Sequence, residues 1–234
     1  MLTPDLPVAT ITSRGSGTPA RRPALDLSLY LVTDTALCGE VGVPVTVAAA
    51  VAAGVTAVQV RAPGATDSEL VALGRAVRAA LAGTGVPLIV NDRPDLVEAI
   101  GADGAHVGQG DMGVREARAL VGEHRYLGLS VQEPDHVRAA TEQGLERLDY
   151  LGVGPVWATA TKPGHARPGG VEAVRRISAT SPWPCVAIGG ITAERAGLLR
   201  HSGAAGIAVV SAICGQRNVA AATRALRQAW EEGE

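Results

Sequence analysis

Phenylalanine is absent from this 234-residue sequence, while tryptophan, tyrosine and cysteine occur three times each. So few stacking rings, with no arginine-rich block and a formal charge of -2, exclude the basic, aromatic surface of a nucleic-acid-binding protein. Cys38, Cys185 and Cys214 are odd in number and far apart, which fits neither a disulfide framework nor a zinc pattern. Reduced thiols in the cytoplasm are the expectation. No apolar run reaches the length of a membrane span, and the first 25 residues hold no continuous apolar stretch of a leader. A soluble protein with neither membrane nor nucleic-acid partners follows. Lysine is the sharpest scarcity: of 21 basic side chains only Lys162 is a lysine.

What is present points to one large core. The chain is 47% hydrophobic with a mean hydropathy of +0.18, enough for a single domain of the larger α/β kinds. Residues 1–27 are rich in Pro, Gly, Ser, Thr and Arg without a sustained period, and read as a tail; residues 28–234 form the domain. There, short β-branched or apolar runs alternate with Ala-, Leu- and Arg-rich stretches of helical period. The runs predict strands near 29–33, 57–61, 87–91, 104–107, 126–130, 150–153, 185–188 and 206–210. Helices are predicted near 45–53, 67–82, 94–100, 113–121, 134–143, 170–179, 192–201 and 217–231. Eight such units imply a (β/α)8 TIM barrel. A doubly wound open sheet is the alternative, but no Gly-x-Gly-x-x-Gly follows the first strand.

The polar residues of interest fall at the predicted C-terminal ends of strands, the rim where barrel enzymes keep their catalytic groups. Lys162 closes Gly154-Pro155-Val156-Trp157-Ala158-Thr159-Ala160-Thr161-Lys162. Its ammonium suits a phosphate oxygen, with Thr159 and Thr161 adding hydroxyls; a solvated lysine beside helix-capping threonines is the other reading. Asp92 and Asp111 come from neighbouring strand ends, where two carboxylates hold Mg²⁺ while phosphates and water complete its octahedron. Each also suits a helix cap. Gly190, in Ile188-Gly189-Gly190-Ile191-Thr192, and Val210-Ser211 follow strands seven and eight, the loops in which barrels seat a phosphate on backbone N–H groups and helix N-termini. Arg61 suits a phosphate or a rim salt bridge, with Gln59 beside it and Asn91 one strand on. His106 reads as a satisfied structural histidine, and Ser130 as a hydrogen-bonding group lacking a triad around it.

Taken in order, Tyr30-Leu31-Val32-Thr33-Asp34, Gln59-Val60-Arg61, Asn91-Asp92, His106-Val107-Gly108-Gln109-Gly110-Asp111, Ser130, the Gly154 to Lys162 segment, Gly189-Gly190-Ile191 and Val210-Ser211 resemble the thiamine phosphate synthase family over about residues 29–230. The resemblance implies a Mg²⁺-dependent transferase that joins 4-amino-2-methyl-5-hydroxymethylpyrimidine diphosphate to a thiazole phosphate. In that family the pyrimidine C–O bond breaks first, and the thiazole nitrogen captures the carbocation. It further implies that Asp92 and Asp111 carry the metal and, with Arg61 and Lys162, stabilise the departing diphosphate. Gln59, Asn91 and Ser130 would then bind the pyrimidine, and Thr159, Thr161, Gly190, Val210 and Ser211 the thiazole phosphate. A related tautomerase and a non-catalytic sensor are the competing readings. One position departs from the family pattern Gln-x-Arg-x-Lys: its lysine is Pro63 here. Residues 161–169 read as a mobile cover whose Arg167, on closure, would partly substitute for that charge.

Overall fold

A computed structural model describes residues 23–144, 147–159 and 167–233. Lys162 and Thr161, and most of the expected cover, lie outside the described residues, as does the tail up to residue 22. Eight parallel strands close into a barrel in chain order: β1 (Leu29–Val32), β2 (Ala57–Val60), β3 (Leu88–Asn91), β4 (Gly104–Val107), β5 (Tyr126–Val131), β6 (Tyr150–Val153), β7 (Cys185–Ile188) and β8 (Gly206–Val209), with β8 pairing back onto β1. Each predicted strand is present within a residue or two. The open-sheet alternative fails because β1 has neighbours on both sides, β2 and β8.

The period-two alternation of side chains sorts each strand into two layers. Leu29, Leu31, Val58, Val60, Leu88, Val90, Leu151 and Val153 face the helices and join their apolar faces in the main core. Tyr30, Ala57, Ile89, Tyr150, Val186 and Ala208 fill the barrel interior. Gly128 and Gly152 take part in the fold by what they leave vacant. A Cβ at Gly128 would sit 2.6 Å from Tyr150 Cε1, and one at Gly152 3.1 Å from His106 Cε1, so these glycines make room for the two rings.

The helices follow as α1 (Thr35–Cys38), α2 (Val43–Ala52), α3 (Asp67–Ala80), α4 (Val97–Ile100), α5 (Val114–Val121), α6 (Pro134–Glu142), α7 (Gly170–Thr180), α8 (Ala193–Ala196) and α9 (Val219–Glu232). α3 starts where the sequence signals it, at a capping box in which Thr66 N–H donates to Glu69 Oε2 over 2.7 Å. The helix expected over 192–201 is shorter: one α turn, then a 3₁₀ turn over Gly197–Leu199. Among the described residues no single helix is long and apolar enough to cross a membrane, and the three cysteines are free and buried.

The boundary placed at residue 27 moves. Leu27 is buried, Leu25 packs on the interior cluster, and Tyr126 Oη donates to the carbonyl of Pro23 over 2.9 Å. Pro23 to Leu27 therefore plug the bottom of the barrel; a Pro-rich composition conceals two apolar residues that the open barrel end must cover. The same end carries buried Arg118, whose guanidinium donates to the carbonyls of Arg147, Gly122 and Arg125 and to Asp149 Oδ2, at 2.7 to 3.0 Å. Bottom-face interactions of this kind serve stability, leaving the opposite rim for chemistry.

Candidate active site

A cavity of about 370 Å³ opens at the C-terminal ends of the strands. It gathers residues of the expected site that are scattered from 59 to 211 in sequence: Gln59, Arg61, Asn91, Asp111, Ser130, Thr159, Gly190, Val210 and Ser211 all line it. Its size suits a small-molecule ligand.

On one flank, Arg61 Nη1 pairs with Asp34 Oδ2 at 3.2 Å. The rim salt bridge that competed with phosphate binding is thus formed. Asp34 also caps α1 by accepting from Leu37 N–H at 3.1 Å, and Thr33 Oγ1 accepts from Arg61 N–H at 3.0 Å. These contacts hold the arginine at the cavity wall. A guanidinium has five N–H donors, so pairing with one carboxylate leaves it able to bind an anion.

Neither aspartate acts as a helix cap. The N-cap position after β3 is Arg93 and the one before α5 is Gly113, and neither helix start has a side-chain cap. Asp111 instead turns back on its own loop, Oδ2 accepting from Gly108 N–H at 2.8 Å. Among the described residues Asp92 is the only non-glycine with a left-handed backbone, φ 58°. Its N–H donates to the His106 carbonyl at 2.8 Å, and its Oδ2 accepts from Asn91 Nδ2 at 2.6 Å. Such a conformation is uncommon outside glycine, and backbone strain of this kind clusters at functional sites. Asp92 itself does not line the cavity, whereas its partner Asn91 does. Among the described residues no group of three or more His, Cys, Asp or Glu gathers as a metal cage. Two hard oxygen donors on adjacent strand ends fit Mg²⁺, which takes one or two carboxylates and fills its remaining positions from phosphate and water.

On the other flank the loops after β6 and β7 extend the barrel pairing beyond the strands. Val156 N–H donates to the Ile188 carbonyl at 2.9 Å and Trp157 N–H to the Gly189 carbonyl at 3.0 Å. Arg195 clamps the two loops, its guanidinium 5.4 Å from the Trp157 ring centroid and its Nη1 donating to the Gly190 carbonyl at 2.9 Å. Gly190 has φ +63°, and a Cβ there would lie 2.7 Å from the Ala158 carbonyl oxygen, so the approach that brings Thr159 beside Gly190 requires glycine. On this flank α8 is a single turn and α9 begins only at Val219, so the cavity wall here is loop residues, Thr159, Gly190, Val210 and Ser211 among them.

The floor was not foreseen. Tyr30 and Tyr150 reach across the barrel with their hydroxyl oxygens 2.8 Å apart, Gln59 Nε2 donates to Tyr30 Oη at 3.0 Å, and His106 links Tyr150 Oη at 3.0 Å to Ser130 Oγ at 2.9 Å. Burial pushes both phenols well above the ordinary tyrosine range. His106 has the structural partners expected of it. Strand periodicity puts Tyr30 and Tyr150 inside, but their meeting depends on barrel closure.

Against this geometry, the thiamine monophosphate synthase family model matches residues 29–213. The chain belongs to the thiamine monophosphate synthase family. It is 47% identical to the thiamine-phosphate synthase of Xanthobacter autotrophicus, over 87% of this chain and 95% of that one, and 46% identical to that of a Psychrobacter species, over 80% and 88%. The solved structure of a thiamine phosphate pyrophosphorylase from Pyrococcus furiosus superposes with a TM-score of 0.79 at 34% identity, covering 89% of this chain and 97% of that one. Synthesis of thiamine phosphate is the activity of this family member, and the tautomerase and sensor readings are not favoured.

Pro63, where the resemblance implies a lysine, lies in a turn. Pro63 and Gly64 are the corners of a tight turn closed by Ala65 N–H to the Ala62 carbonyl at 3.2 Å, with Gly64 at φ +79°, the proline–glycine pattern of a type II turn. Pro63 is exposed and outside the cavity lining. Arg167 lines a neighbouring depression with Gln132, Glu133 and His136 rather than the main cavity.

Proposed function

We propose that the cavity joins 4-amino-2-methyl-5-hydroxymethylpyrimidine diphosphate to a thiazole phosphate, releasing diphosphate, in a Mg²⁺-dependent alkyl transfer. The observation that carries this reading is the division of one cavity into two flanks of different chemistry: Arg61, Asn91 and Asp111 on one, Thr159, Gly190, Val210 and Ser211 on the other. In the reaction the methylene C–O bond breaks and its electrons leave with the diphosphate. The thiazole nitrogen lone pair then forms the new C–N bond to the carbocation. No general base is needed for that bond.

Arg61 and Lys162 bind the diphosphate as its negative charge grows, a charge-assisted stabilisation that is stronger in the transition state than in the ground state. Asp92 and Asp111 would hold the Mg²⁺, which supplies charge neutralisation at the leaving group. Gln59, Asn91 and Ser130 hold the pyrimidine at the centre, and Thr159, Thr161, Gly190, Val210 and Ser211 fix the thiazole phosphate so that its nitrogen faces the methylene carbon. The buried tyrosine floor keeps water from the cation's underside. We take the protein to work in the cytoplasm, where its three free thiols stay reduced.

The test is incubation of the protein with both substrates and Mg²⁺, with thiamine phosphate as the readout. Asp111→Ala is expected to lower turnover by at least about 100-fold with the fold intact, since charge stabilisation of a leaving group is worth several kcal/mol. Full activity in excess chelator, or a fully active Asp111→Ala variant, ends the metal reading.

A further inference from the structure

Five side chains from five strands form one unbroken chain beneath the cavity: Gln59 on β2, Tyr30 on β1, Tyr150 on β6, His106 on β4 and Ser130 on β5. Its two ends are expected substrate contacts; its three middle members are not. Tyr30 and Tyr150 are essentially inaccessible, at 1% and 0% exposure. A hydroxyl proton left without an acceptor there would carry the full cost of desolvation.

With the Gln59 amide nitrogen facing Tyr30, counting donors gives the direction of the remaining bonds. Gln59 Nε2 has only protons to offer, so Tyr30 Oη accepts from it. Tyr30 has one proton of its own, and its remaining partner is Tyr150. Tyr30 therefore donates to Tyr150, and Tyr150 donates to His106 Nδ1. His106 must then be neutral with its proton on Nε2, which it donates to Ser130 Oγ. The opposite tautomer, or an imidazolium, would donate from Nδ1 to Tyr150 and reverse the Tyr150–Tyr30 bond. Two donors would then face the Tyr30 oxygen while its proton had no acceptor among the described residues.

We infer that this one-way chain sets Ser130 as a hydrogen-bond donor into the cavity and Gln59 with its carbonyl oxygen turned away from Tyr30 toward ligand, making Tyr30, Tyr150 and His106 positioning residues for substrate selection. The cavity wall offers a donor on β5 and an acceptor on β2, a pair that matches a ring nitrogen and an exocyclic amine of one aminopyrimidine. This assignment to the pyrimidine rests on the reaction proposed above; the direction of the chain does not. Because three buried members link the two ends, the wall keeps its polarity before substrate arrives and needs no rearrangement on binding.

Nitrogen NMR of histidine-labelled, ligand-free protein tests the direction by itself. His106 is expected to carry its proton on Nε2, with Nδ1 accepting from Tyr150. A proton on Nδ1, or on both nitrogens, overturns the inference. Kinetics test the consequence. Tyr150→Phe keeps the ring and breaks the chain, and is expected to raise KM for the pyrimidine diphosphate about five- to tenfold, the worth of one properly oriented hydrogen bond. KM for the thiazole phosphate should stay within about twofold by the same reasoning. His106→Gln, whose amide can donate to Ser130 and accept from Tyr150, should retain more pyrimidine affinity than His106→Leu. Equal losses in the two His106 variants, or equal KM changes for both substrates in Tyr150→Phe, overturn the positioning role. The Nε2 tautomer in a protein that makes no thiamine phosphate would instead refute the proposed reaction and leave the chain standing.

Discussion

Gly190→Ala should damage this protein in two separable ways. With φ at +63°, the position asks an L-residue to enter the left-handed region, which costs roughly 1–2 kcal/mol. The added Cβ would also lie 2.7 Å from the Ala158 carbonyl oxygen and 2.8 Å from Trp157 Cβ. The first of these is backbone, pinned through Trp157 N–H to the Gly189 carbonyl, so it cannot swing aside. Relief of that overlap adds about 1–3 kcal/mol. The total is about 2–5 kcal/mol, and each kcal/mol lowers Tm by about 2–4 °C in a domain of this size. Gly64→Ala is the control: φ is +79°, but nothing lies within 4 Å of the added Cβ, so it should show only the backbone cost of about 1–2 kcal/mol. Restoring an ordinary 3.4 Å contact opens the two loops by about 0.7 Å and displaces Thr159 from Gly190. We expect KM for the thiazole phosphate to rise about tenfold, on the scale by which sub-ångström misplacement weakens a site, with KM for the pyrimidine diphosphate little changed. Thermal unfolding of both variants and two-substrate kinetics make the comparison. If Gly190→Ala is no less stable than Gly64→Ala, or binds the thiazole phosphate normally, the close-approach argument is wrong.

Three further outcomes are expected. Pro63→Lys should raise kcat/KM for the pyrimidine diphosphate about tenfold, since a charge-assisted hydrogen bond is worth roughly 1.5–3 kcal/mol; an unchanged value would mean that a lysine at this position, outside the cavity lining, does not reach the diphosphate or that Arg61 and Lys162 already hold it. Removal of residues 1–22 should leave Tm and turnover unchanged, whereas removal of 1–27 also deletes buried Leu27 at a cost of at least about 1.5 kcal/mol, so equal Tm values for the two truncations would refute the plug at the barrel bottom. In alkali, Tyr30 and Tyr150 have folded pKa values raised above the unfolded value of about 10. The stability they lend is complete below about pH 10 and falls as pH rises above it; Tyr30→Phe combined with Tyr150→Phe should flatten that fall in denaturant midpoints measured between about pH 9 and 11.

The strands were legible to within a residue or two because a four-residue buried run such as Leu29–Val32 or Tyr150–Val153, bounded by polar or glycine residues, has few other uses. Their parallel order followed from the intervening helical stretches, and the cavity residues followed from being the polar residues at strand ends. What was illegible depends on contacts between residues far apart in sequence. Asp34 and Arg61 are 27 residues apart, and Tyr30 and Tyr150 are 120 apart. A local pattern states which face a side chain occupies, not which other side chain it meets there. That Asp92 and Asp111 are not helix caps, that Leu25 and Leu27 seal the barrel, and that Gly128 and Gly152 vacate space for Tyr150 and His106 are likewise decided by packing. The amino-acid order determined the eight units and the chemical inventory of the rim. Closure of β8 onto β1 decided the partners, because only a closed barrel makes residues from opposite strands neighbours.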